Sequence, residues 1–398
     1  MARNDLSLKS INRFKFLRLL VSCGLIAGII FSFELWFPVT RNFPRAPVLF
    51  ALPENVVFPV ERLLAVFLIL SLILTAVSVR PKTFSIAAVV LTILLVFFDQ
   101  SRLQPWVYQY LLLLIILALP TENEDNPNQT LCLAQIIVAG LYFWSGAQKL
   151  NFTFSHETLP MLLTPLQNLF PSLALPTVLI GIGIALLELL IGCGLLFRQT
   201  RNLSVLLAAA MHAVILSVLI AKNYNSIVWI WNIFLIAAVA LLFWKNEVSI
   251  KQAIASKTEK TWRMRSAELL TLASVVLPIL SFAGLWDMYL SGALYSGNTS
   301  LAVIRLDESA YEKLPPKAQK TVFQIKSGEK ILPLIEWSLS ELNVPVPPAE
   351  RVFKQVTRDV CKITNGTSQV ELIIKERPAI LDGSYVLTRT TCEELEND

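Results

Sequence analysis

Apolar residues run through the first 290 positions in stretches of about 17 to 25, the length a helix needs to cross roughly 30 Å of hydrocarbon. Nine stretches are predicted to be helical spans, near 16–37, 57–79, 83–99, 105–120, 130–148, 173–197, 203–221, 226–244 and 266–286. The fourth is short and framed by Pro105 and Pro120, so the count is open by one. The first follows a basic segment, yet it is too long for a signal-peptide apolar region and lacks a small-residue cleavage site.

The pattern changes near Tyr289. Residues 290–398 lose the long apolar runs and alternate over SLAVIRL, TVFQI, QVELIIK and SYVLTRT, a period of two that predicts half-buried strands. IEWSLSELN and PPAERVFKQVTRDVCK between them read as helices. The fold class expected is an all-α polytopic membrane bundle over 1–289, followed by a small C-terminal α+β extramembrane domain over 290–398.

Composition agrees. The 398-residue chain is 55% hydrophobic and 16% charged, with a mean hydropathy of +0.60, so a bilayer is its expected solvent. Lysine and arginine then suggest the orientation. Fifteen lie in the N-terminal segment and alternate loops (Arg3, Lys9, Arg13, Lys15, Arg18, Arg80, Lys82, Arg198, Arg201, Lys245, Lys251, Lys257, Lys260, Arg263, Arg265). The opposite side holds five, Arg41, Arg45, Arg102, Lys149 and Lys222. The expectation is a bacterial inner-membrane protein with a cytoplasmic N-terminus and a periplasmic C-terminal domain. The net charge of +5 suits anionic lipid at the cytoplasmic face, and nothing in it points to nucleic acid.

Cys23, Cys132 and Cys193 fall in spans, leaving Cys361 and Cys392 in the outer domain, where an oxidising compartment would allow a disulfide. Two histidines, His156 and His212, cannot build a three-histidine metal site, and no metal is expected.

Few ionisable groups remain to carry chemistry inside the spans. Lys149 closes the run LYFWSGAQK, where an ammonium calls for a partner, a cavity or a function. Asp99 and Arg102 close the third span, and Glu61 and Arg62 open the second, all at an estimated similar depth. Glu61, Arg62 and Arg102 read as helix-end charges that snorkel to the interface, whereas Asp99 and Lys149 suggest an outward-opening polar cavity, with an ion pair between the two or an interfacial anchor as the structural alternative. Glu188 and His212 are each about twelve residues from the turn near Thr200, at a rise of about 1.5 Å per residue, so an antiparallel hairpin brings both near the midplane. They serve either proton sharing or packing. Arg102, Trp144, Gln148, Asn225, Trp229 and Asn232 lie at the same end of their helices and are candidates to contact a substrate. Gly181, Gly183, Gly192 and Gly194 permit close helix approach. FTFSHETLPMLLTPL, with His156 and Glu157, is a candidate lid.

The stretches LVFFDQSRLQPW, LYFWSGAQKLNFTF, ALLELLIGCGLLF and MHAVILSVLIAKNYNSIVWIWNI resemble, in order and spacing over about residues 16–290, the HTTM domain of vitamin K-dependent gamma-carboxylases and their bacterial relatives. The resemblance implies that Lys149 is a base acting on a quinol or another lipid-soluble substrate at the outer leaflet. FSIAAVVLTILLVFF lacks the histidine the carboxylases carry before their acidic segment, and residues 290–398 are fewer than their C-terminal region, which weighs against gamma-glutamyl carboxylation itself. WDMYLSGALYSGN is similar to a bacterial subgroup of MauE/DoxX-like membrane proteins. Three function classes follow: an intramembrane enzyme centred on Lys149, a membrane scaffold whose outer domain binds a partner protein, and a small-molecule or lipid transporter built on Glu188 and His212.

Overall fold

The computed structural model describes residues 2–48, 53–119, 127–172, 174–246, 248, 261–364 and 370–397. Lys251, Lys257 and Lys260 of the basic cluster, and Pro120, lie outside them. The chain is 69% helical, with 16 α-helices among the described residues.

Among the described residues, eight helical segments are long and apolar enough to cross a membrane. They lie within α1 (Ala2–Phe31), α3 (Glu54–Val77), α4 (Pro81–Phe98), α6 (Asn128–Lys149), α8 (Thr177–Leu196), α9 (Arg201–Ala221), α10 (Ser226–Phe243) and α11 (Trp262–Val276), the last prolonged by a 3₁₀ turn over Leu277–Ala283. By this length and apolarity the chain is an integral membrane protein. The fourth predicted span is the exception: α5 (Pro105–Ala118) has 14 residues, only about 21 Å of helix. Pro105 starts it, and nearly all its side chains are buried. Trp106 and Tyr110 from α5 fill the space left by Gly28 and Gly24 of α1, where any Cβ would strike the rings. Helix α1 also stops short of its predicted end, at Phe31, before a one-turn helix α2 (Phe33–Trp36). Glu34 therefore lies on that turn outside the span, where it accepts from Val39 N and Thr40 N.

Helix α6 lies at the centre, packed on α8, α11, α5 and α10. Its crossing with α8 is set by glycine on both partners. A Cβ on Gly146 would lie 2.5 Å from the Ala185 carbonyl oxygen, and one on Gly192 would lie 2.6 Å from Phe143 N. Gly181 and Gly194 face Ser155 and Ser204 in the same way, whereas Gly183 faces open space and has no packing role.

The C-terminal domain is a five-stranded antiparallel sheet in the order β2-β3-β1-β4-β5, where β1 is Leu301–Leu306, β2 Phe323–Gln324, β3 Lys330–Pro333, β4 Glu371–Lys375 and β5 Leu387–Thr391. The pattern LAVIRL buries Ala302, Ile304 and Leu306, as its period requires. Short helices α12 (Glu308–Lys313) and α13 (Pro316–Gln319) follow β1, while α14 (Leu334–Leu342) and α15 (Glu350–Ile363) bury Trp337, Phe353, Val356 and Val360 in the domain core. Strand β3 was not anticipated; KILP is too short to display an alternation. Cys361 of α15 and Cys392, which opens α16 (Cys392–Asn397), form a disulfide.

The domain is docked on the bundle by buried polar contacts. Glu341 accepts from Asn42 N at 2.8 Å and Phe43 N at 3.1 Å, and also from Trp337 Nε1. Gln104 Nε2 donates to the Pro345 carbonyl, and Arg351 Nε donates to Gln100 Oε1.

Because the atoms facing Gly146 are backbone, Gly146→Ala should force α6 and α8 apart. Overpacking of this kind costs about 1–3 kcal/mol. The variant should melt at a lower temperature in detergent than the natural chain, whereas Gly183→Ala should not.

Candidate functional site

Lys149 ends α6 one residue before the helix breaks at Leu150, and it projects toward α8 across the glycine crossing. Its Nζ donates to Glu188 Oε2 at 2.8 Å, to Ser145 Oγ at 2.6 Å and to the Ser145 carbonyl at 3.3 Å. An ammonium has three protons, and all three are used. Glu188 is buried, and its Oε1 accepts no hydrogen bond among the described residues.

A second chain of polar groups lies alongside. Tyr142 OH is 2.6 Å from His212 Nε2, and His212 Nδ1 is 2.6 Å from Asn232 Oδ1. Asn232 Nδ2 donates to the Val228 carbonyl at 2.7 Å, which turns its amide oxygen toward the histidine. His212 Nδ1 then donates to the amide oxygen, and Nε2 meets the tyrosine hydroxyl. Among the described residues no hydrogen bond joins Glu188 to His212, but both line one cavity.

That cavity has a volume of about 180 Å³, and its wall is mostly apolar. Lys149, Ser145, Glu188, Tyr142, His212 and Asn232 supply its polar groups. The candidate lid is a π-helical turn over Phe154–Thr158 followed by α7 (Leu159–Leu169), and Phe154, Leu159, Leu162 and Leu163 face the cavity. The linker after the last span roofs it with Gly292, Leu294 and Tyr295. Gly292 has φ of 72°, and a Cβ there would crowd Ser145 N. On the side of α9, Met211, Val214, Ile215 and Val218 line the wall, and Val214 is 64% exposed on the bundle surface. The cavity is thus bordered by a lipid-facing flank.

Asp99 and Arg102 are not part of this site. The expected grouping of Asp99 with Lys149 fails because the loop after α2 carries Arg41 to the end of α4, where Arg41 pairs with Asp99 at 2.7 Å. Arg102 is fully buried against Glu61 at 3.1 Å and donates to the Leu35 and Leu95 carbonyls. Glu61 and Arg102 are therefore structural partners rather than snorkelling rim charges, and Arg62 caps the Pro38 carbonyl. Burial pushes the Asp99 carboxyl up, but the Arg41 and Arg102 guanidiniums and the Ser101 and Ala46 N–H groups outweigh it and hold it at about 2.

The other candidates divide. Trp144 donates to the Val275 carbonyl and lines a separate void of about 30 Å³. Gln148 joins Ser281 to Asn298. Asn225, at φ 44°, donates to Tyr295 OH and so ties α10 to the roof. Trp229 donates to the nearby Tyr224 carbonyl. His156 is exposed, stacked on Phe152 at 3.7 Å, and Glu157 pairs with Lys375. None of these side chains lines the cavity. Tyr142 and Ser145 were not singled out from the sequence, although spacings of seven and four residues before Lys149 place all three on one helix face. Comparison of the chain with protein-family models, curated proteins and solved structures finds no match.

A carboxyl held low when folded stabilises at pH above its unfolded value, near about 4, and that contribution is lost as pH falls toward 2. The natural chain should therefore lose thermal stability over that interval. Asp99→Asn should already be destabilised at neutral pH, by about 3–5 kcal/mol for a broken buried pair, with a flatter acid profile.

Proposed function

We propose that the chain is an intramembrane acid–base enzyme acting on a lipid-soluble molecule that bears an ionisable hydroxyl. The observation that carries this reading is the placement of the Lys149–Glu188 pair on the wall of an otherwise apolar cavity. Packing alone does not call for such a pair, because a buried ion pair is about neutral in stability against apolar residues of the same volume. A substrate oxygen that takes the place of Ser145 on Lys149 Nζ lies beside the open Oε1 of Glu188. The hydroxyl proton passes to Glu188, and the ammonium of Lys149 stabilises the oxyanion left behind. His212, Tyr142 and Asn232 form a polar wall that orients the same molecule.

The resemblance to the HTTM domain gives Lys149 itself the role of base and suggests a quinol as the hydroxylic substrate. The hydrogen bonding favours Glu188 as acceptor, since Lys149 has no lone pair in this state. The basic-residue bias and the disulfide between Cys361 and Cys392 support a periplasmic C-terminal domain in a bacterial inner membrane.

An alkyl 4-nitrophenol probe tests the reading, because its ionised and protonated forms absorb differently. Bound to the natural chain in nanodiscs, it should ionise at a pH where the free probe in the same lipid is protonated. Glu188→Gln should abolish that ionisation, while Lys149→Arg should retain part of it. Loss of ionisation in Lys149→Arg with retention in Glu188→Gln would make Lys149 the base, and a bound probe that stays protonated throughout would end the enzyme reading.

A further inference from the structure

The turn between β4 and β5 carries a group of exposed apolar side chains that the outer domain's own core does not use. Leu381 is 91% exposed at its tip, followed by Tyr385 at 50%, Val386 at 62% and Leu387 at 50%. A contiguous cluster of this kind marks a surface that meets something apolar.

Its position identifies what it meets. Arg377, at the base of the turn, donates to the Ser281 and Phe282 carbonyls, the last residues of the final span. The Ile380 carbonyl accepts from Phe152 N at 2.8 Å, three residues beyond the end of α6. Gly383, at φ 70°, lies against the Phe152 ring so closely that a Cβ would reach 2.5 Å from it. The turn is therefore fixed at the level where two membrane-spanning segments end. Around it the bundle exposes Leu150 beside Lys149, and Leu285 just after the final span. Tyr385 stacks under Lys375, whose Nζ is 4.2 Å from the ring centroid, the pairing of amphipathic ring and ammonium that residues adopt at a headgroup boundary. Asp382 does not oppose this placement at shallow depth, because its carboxylate is held within the turn by Ser384 N and Oγ.

We infer that the turn over residues 378–387 is a lipid-contacting element, seated in the interfacial zone of the bilayer with Leu381 in the acyl boundary, continuous with the lipid-facing surface of the spans. It gives the C-terminal domain a second attachment besides its docking on the loops around Asp99. The inference does not depend on the chemistry of Lys149.

The test uses the full chain with Cys23, Cys132 and Cys193 replaced by alanine and the Cys361–Cys392 disulfide intact. Leu381→Cys and Val386→Cys, and Lys326→Cys on an exposed position of the same domain as a control, are each labelled with an environment-sensitive fluorophore in phosphatidylcholine vesicles. At Leu381 the emission should shift to the blue, iodide should fail to quench it, and a nitroxide placed high on a lipid acyl chain should quench it. Val386 should follow in weaker form, and Lys326 should show the reverse of all three. Iodide quenching at Leu381 as strong as at Lys326 would overturn the inference. So would protection from iodide without nitroxide quenching, since a protein surface would then be covering the turn.

Discussion

The contact between Lys149 and Glu188 organises this molecule. A lysine at the end of an apolar helix needs a counter-charge, and α8 can supply one only if it comes close enough for a side chain to reach across. Gly146 and Gly192 make that approach. Once α6 and α8 are locked together, α9 and α10 close the far wall with His212 and Asn232, and the space between becomes a cavity rather than packed core. The pair thus depends on glycine for its distance, and the cavity depends on the pair for its polar wall.

Two clusters of charged groups in the bundle have different uses. Asp99, Arg102 and Glu61 are paired with other charges, Asp99 and Arg102 also with backbone groups, and Arg102 lies over the Trp36 ring. This cluster fixes the loops on which the C-terminal domain sits, through Glu341 and Gln104. Around Lys149 the pair instead lines a cavity. That difference in access is what separates a structural cluster from a candidate reactive one.

The membrane class, the number of long spans to within one, and most strands of the outer domain were legible in the sequence, because apolar length and a period of two are local properties. Pro105 likewise marked α5 as irregular. Depth along a helix was also legible, and it placed Lys149, Asp99, Glu61 and Arg102 together. What depth cannot give is azimuth and neighbour. Asp99 and Lys149 close helices that face different partners, so Asp99 met Arg41 from a loop, and Lys149 met Glu188, which counting from the turn had put nearer the midplane. Helix spacing did carry Tyr142 and Ser145 on the face of Lys149, a signal present but not taken up. Strand β3 and the docking of Glu341 on Asn42 and Phe43 rest on tertiary contacts that no local pattern announces.

The central claim is that the Lys149–Glu188 pair faces a cavity that a lipid-soluble molecule fills from the membrane. An electron cryo-microscopy map of the chain in lipid nanodiscs tests it directly. The account predicts elongated density that enters past Val214 on α9 and ends in contact with Lys149 Nζ and Glu188. A map in which the side chains of α7 and α9 collapse onto the pair, leaving no space beside Glu188, would contradict it.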